Sequence, residues 1–135
     1  MSKSDNVFFS RILLKSKPYL KLSGSSIKIL NFFFMKRQVK KLKTNRSESW
    51  MITNNGEIIF TYIEALKLGF TRPKFKRAID QLIECGFIDI EHHGGGLMKD
   101  CSKYAISNRW KLYGTDDFIQ KKRPKDTRGL GFKSK

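Results

Sequence analysis

Cysteine is nearly absent: Cys85 and Cys101 are the only two, too few for a disulfide framework in a chain of this size. Proline occurs three times and histidine twice, which excludes a proline-rich linker and a histidine-rich metal tract. No apolar run approaches the roughly 20 residues that span a bilayer. The longest, Ile29 to Met35, is interrupted by Asn31 and bounded by Lys28 and Lys36. The N-terminus has neither a sustained apolar stretch nor a small-residue cleavage site, so a cytoplasmic location and no membrane partner are expected. Acidic residues are the other scarcity, 12 Asp and Glu against 28 Lys and Arg, for a net charge of +16. A surface with that excess repels itself unless counter-charges sit close. A polyanionic partner follows, with nucleic acid the leading candidate.

What is present is enough to fold. Of 135 residues, 39% are hydrophobic and 13% aromatic, with 11 Phe, too apolar for a disordered chain and of a length for one domain with tails. The charge is uneven. Residues 1 to 46 hold 12 basic residues and 1 acidic, and residues 111 to 135 hold 8 basic and 3 acidic, leaving the middle nearly neutral.

Ser23 to Ser26 supply N-cap candidates for a long helix running to about Leu42. Its first half, with Ile27, Ile29, Leu30, Phe32, Phe33 and Phe34, is apolar almost all round and reads as a buried central helix. Its second half keeps a thin stripe at Met35, Val39 and Leu42 beside a basic face. After a polar loop, Trp50 to Thr53, Asn54-Asn55-Gly56 and Glu57 to Phe60 predict a tight hairpin. From Thr61 to Leu68 the pattern Tyr62, Ile63, Ala65 and Leu66 predicts a short helix stopped by Gly69. Thr71 and Pro73 then start another, whose apolar stripe is Phe75, Ala78, Ile79, Leu82 and Ile83, closed by Gly86. Alternation in Phe87 to Glu91, three glycines at 94 to 96, and Lys103 to Ser107 predict a second hairpin with a loose tip. Thr115 to Phe118 is expected to cap one more helical turn, and residues from Lys121 onward read as a basic tail.

This order, carried by Phe60 to Phe70, Thr71 to Ile88 and the Gly94-Gly95-Gly96 hairpin, resembles a winged helix-turn-helix domain. The resemblance implies an α+β fold with a three-helix core, a small antiparallel sheet and a two-stranded wing. It places an N-terminal arm at residues 1 to 21, the domain at 22 to 114 and a basic tail at 115 to 135. The run is also similar to phage- and plasmid-type replication or transcription-control proteins of bacteria, which implies double-stranded DNA as partner, the bacterial cytoplasm or nucleoid as location, and leaves a homodimer open.

At about 100° per residue, the stripe on the helix from Arg72 puts Arg77 opposite the core, with Lys74 and Gln81 on one shoulder and Lys76 and Asp80 on the other. Arg77 is the expected base reader, since arginine bonds guanine O6 and N7 together, and Gln81 is the expected adenine reader. Arg72 and Lys74 suit phosphate. Tyr62 and Lys67 on the preceding helix join the contacting set, as do His92, His93 and Lys99 near the wing tip. Lys36, Arg37, Lys40, Lys41 and Lys43 on one flank, and Lys121, Lys122 and Arg123 on the other, are expected on the DNA backbone. The bland alternative for all of them is a solvated charged face.

Cys85, His92, His93 and Cys101 are of zinc-ligating types, but their spacing matches no common closed site. No metal or other cofactor is therefore expected. Asp89 and Glu91 share a strand face and with Asp100 are of Mg²⁺-ligating type, although isolated hairpin acids are more often merely polar. No phosphate loop or nucleophile elbow is present, so catalysis is not expected. A structured-RNA binder and a protein-interaction winged helix are the competing functions.

Overall fold

The computed structural model describes residues 7–43, 48–92 and 102–122, and these build a mixed α+β fold of five α-helices and two small antiparallel sheets. Two short helices lead. α1 (Arg11–Lys15) begins where the Ser10 hydroxyl accepts from the Leu13 amide, and α2 (Lys17–Leu20) carries Pro18 in its first turn. Leu13 and Pro18 are buried and Phe9 meets Phe34 edge to face at 4.9 Å, so the N-terminal segment folds back on the body.

The central helix, α3 (Gly24–Lys36), starts at Ser23, whose hydroxyl accepts from the Ser26 amide. It ends at Lys36 and not near Leu42: Arg37 leaves the helical region, and its amide closes the last turn on the Phe33 carbonyl. The chain then forms β1 (Val39–Lys43) and β2 (Glu48–Ile52), paired antiparallel from Val39 opposite Ile52 to Lys43 opposite Glu48. A continued helix would have stacked Lys36 on Lys40 and Arg37 on Lys41, like charges one turn apart. The extended form separates them.

β2 therefore pairs with β1, and the expected hairpin between Trp50–Thr53 and Glu57–Phe60 does not form. A turn does form there, with the Glu57 amide donating to the Asn54 carbonyl at 3.0 Å and Gly56 at φ 87°. It redirects the chain so that Ile58 bridges antiparallel to Tyr104.

α4 (Tyr62–Lys67) is capped by Thr61, and the chain turns at Gly69, φ 99°. α5 (Arg72–Glu84) is capped by Thr71 with Pro73 in its first turn, and buries Phe75, Ala78, Ile79, Leu82 and Ile83. β3 (Ile88–His92) and β4 (Lys103–Ile106) form the second sheet. Gly86, φ 91°, lies between α5 and β3 and leaves no room for a side chain, because a Cβ there would lie 2.6 Å from the Trp110 amide nitrogen. A 3-10 turn, Arg109–Leu112, follows. In place of the helical turn expected at Thr115 to Phe118 there is an isolated hydrogen-bonded turn, closed by the Phe118 amide on the Thr115 carbonyl at 3.2 Å.

The core runs from Phe33, against Phe60 at 5.3 Å and Tyr104 at 5.2 Å, to Phe75, against Phe60 at 5.1 Å. Phe33 lies late in α3 and Phe75 early in α5, whereas Ser26, early in α3, bonds Gln81, late in α5, at 2.6 Å. The two helices are thus antiparallel, and the C-terminal end of α3 shares a pole of the molecule with the N-terminal end of α5.

Candidate nucleic-acid interface

α5 displays its charge asymmetrically. Arg72, Lys74, Lys76 and Arg77 occupy its N-terminal half, all exposed, and Asp80 and Glu84 its C-terminal half. The side chains of Lys74, Lys76 and Arg77 make no hydrogen bond or ion pair among the described residues. Arg72 lies over the Tyr62 ring at 4.5 Å, which joins the starts of α4 and α5. Lys67 is exposed at the end of α4. The Thr71 hydroxyl accepts from the Lys74 amide at 3.3 Å, fixing the first turn, in which Pro73 carries no N–H to satisfy.

Gln81 does not belong to this set. Its Oε1 accepts from the Ser26 hydroxyl at 2.6 Å and the Ser23 amide at 3.0 Å, so it satisfies the start of α3 and cannot read a base without vacating that place. The helical wheel put it on an outward shoulder because the wheel carries no information about a neighbour arriving beside it.

Arg37 is also withdrawn from the expected backbone set. Its guanidinium is sandwiched by Phe8 and Phe34, at 4.9 and 4.5 Å, and donates to the Phe8 carbonyl at 2.7 Å. Burial pulls its pKa below the ordinary arginine value, and its work is to hold the N-terminal segment. Lys36 lies over the Phe60 ring at 4.9 Å and pairs with Glu64 of α4 at 2.5 Å. Lys40 and Lys41 are exposed on β1, Lys43 ends that strand, and Lys121 and Lys122 are exposed at the far end of the described chain. His92 is exposed at the end of β3. His93, Lys99, Arg123 and the three glycines of the hairpin tip lie outside the described residues, as do Asp100 and Cys101.

Asp89 is engaged by protein, which removes it from the Mg²⁺ reading: Arg109 donates to it through Nε at 2.9 Å and Nη2 at 2.6 Å. The same guanidinium bonds the carbonyls of Ile83 and Ile119, both at 2.8 Å, so one residue ties the end of α5, β3 and the C-terminal segment together. Cys85 is buried just beyond α5, and burial raises its thiol pKa. Among the described residues no group of three or more His, Cys, Asp or Glu is placed to hold a metal ion, and no helix is long and apolar enough to cross a membrane.

No protein-family model, curated protein or solved structure matches the chain.

Sequence reasoning missed the paired asparagines. Asn54 accepts from the Gln38 amide at 2.8 Å and donates to the Lys36 carbonyl at 3.0 Å. Asn55 accepts from the Ile106 amide at 2.6 Å and donates to the Ile106 carbonyl at 3.0 Å. Each amide imitates a strand, one at the base of the β1–β2 ribbon and one beside β4. The Asn-Gly signal marked a turn there, but side-chain pairing to distant backbone leaves no trace in local pattern.

Proposed function

We propose that the protein binds double-stranded DNA with α5 in the major groove. The observation that supports this most is the cluster of exposed cations on the N-terminal half of a helix whose opposite face is locked into the core, since N-terminal residues of such a helix are the ones that reach base edges. The order α3, the Ile58 bridge to Tyr104, α4, α5, β3, β4 supports a winged-helix reading, in which the β3–β4 hairpin is the wing, resting on backbone. Arg77 reads a base, Arg72, Lys74 and Lys76 hold the groove edges, and Lys40, Lys41, Lys121 and Lys122 add affinity that falls with salt. The role is replication initiation or transcription control of the phage and plasmid kind.

Selection of bound duplexes from a random pool, followed by titration of Arg77→Ala, tests the assignment. The substitution weakens the selected site by about 1 to 3 kcal/mol and relaxes preference at one base pair. Equal loss on every duplex contradicts base reading.

Exposed Ile63 and Leu66 on α4, at 66% and 53%, favour a second reading in which that helix docks a protein. Failure to bind any duplex at low salt selects it.

A further inference from the structure

The β1–β2 ribbon stands apart from the rest of the fold. Among the described residues it is a sheet of two strands with no third neighbour, and at five residues per strand it extends about 17 Å, close to five base-pair steps. Its base is rigid: besides the Asn54 clamp, the Thr53 amide donates to the Gln38 carbonyl at 2.7 Å. It leaves the body directly after Lys36, at the pole where α5 begins: Lys36 pairs with Glu64 of α4, and Arg72 lies over Tyr62 of the same helix.

Consecutive strand residues face opposite sides. Lys40 and Lys41, both exposed, therefore place a cation on each face of the ribbon. A ribbon lying flat on a phosphate surface uses one face only. A ribbon standing in a groove meets a phosphate wall on both sides, and the major groove admits two strands. Met51, opposite Lys40 in the register and exposed, gives one face an apolar body suited to base edges.

We propose that the β1–β2 ribbon is a second DNA-binding arm, inserted edge-on into a groove of the same duplex that α5 reads, with Lys40 and Lys41 on opposite phosphate walls. This rests on the duplex-binding reading above.

Anisotropy titrations of a selected duplex across a range of salt, with wild type, Lys40→Ala, Lys41→Ala and Arg77→Ala, test it, with thermal unfolding as the check on folding. Each lysine variant lowers the slope of log K against log salt by about 0.9 and leaves site preference unchanged, and hydroxyl-radical protection beyond the α5 site recedes in both. Should an alanine variant fail to fold, the glutamine variant at the same position serves. A lowered slope in only one of the two overturns the edge-on arrangement. Unchanged slopes in both, with Arg77→Ala still relaxing preference, overturn the arm and leave α5 as the reader. No duplex binding by the wild type overturns both.

Discussion

Arg77 and Gln81 are one turn apart on α5, yet their surroundings give them opposite roles. Arg77 projects into solvent with nothing to bond among the described residues, whereas Gln81 accepts two hydrogen bonds from the start of α3. Replacing Gln81 with Ala leaves the Ser23 amide and the buried Ser26 hydroxyl without that acceptor. Stability should fall by about 1 to 2 kcal/mol, measured by urea unfolding, with the selected DNA site unchanged. A shifted base preference would return Gln81 to the interface. Arg77 was legible from helical periodicity alone, because its environment is solvent. Gln81 and Arg109 were not, because their partners are 55 and 20 residues away. Arg109 forms with Asp89 an ion pair at 10% and 15% side-chain exposure, where loss of one partner leaves a largely desolvated charge.

The elements divide the same way. α4, α5 and the β3–β4 hairpin could be read with nearly correct bounds because each is announced locally: Thr61 and Thr71 cap their helices, Gly69 and Gly86 turn left-handed after them, and the apolar residues repeat at helical or strand period. β1 could not, since Val39 and Leu42 continue the helical stripe of α3 and only pairing with β2 decides otherwise. The Asn54 clamp acts at the base of that ribbon. Asn54→Ala should raise amide hydrogen exchange across residues 39–43 and 48–52 while the amides of α5 keep their protection. Equal loosening in both would mean that Asn54 supports the whole core and not the ribbon base.

Across the whole molecule the charge is arranged by pole. The antiparallel packing of α3 on α5 brings Lys36, the ribbon lysines and the cationic half of α5 to one end. At the other end Arg109 fastens the C-terminal segment beside Asp89, and Lys121 approaches the same carboxylate at 3.7 Å. Lys121 and Lys122 therefore lie toward the far end of α5, so exposed cations stand near both ends of that helix. Such an arrangement suits an elongated duplex better than a compact folded RNA, whose readout depends on splayed bases and stacking platforms. The most direct measurement is a competition titration at fixed salt, in which a selected duplex bound to the protein is challenged with unlabelled duplex and with structured RNA of equal length. A duplex-binding protein gives up its bound label to the duplex and little of it to the RNA. Preferential displacement by the RNA would contradict duplex binding.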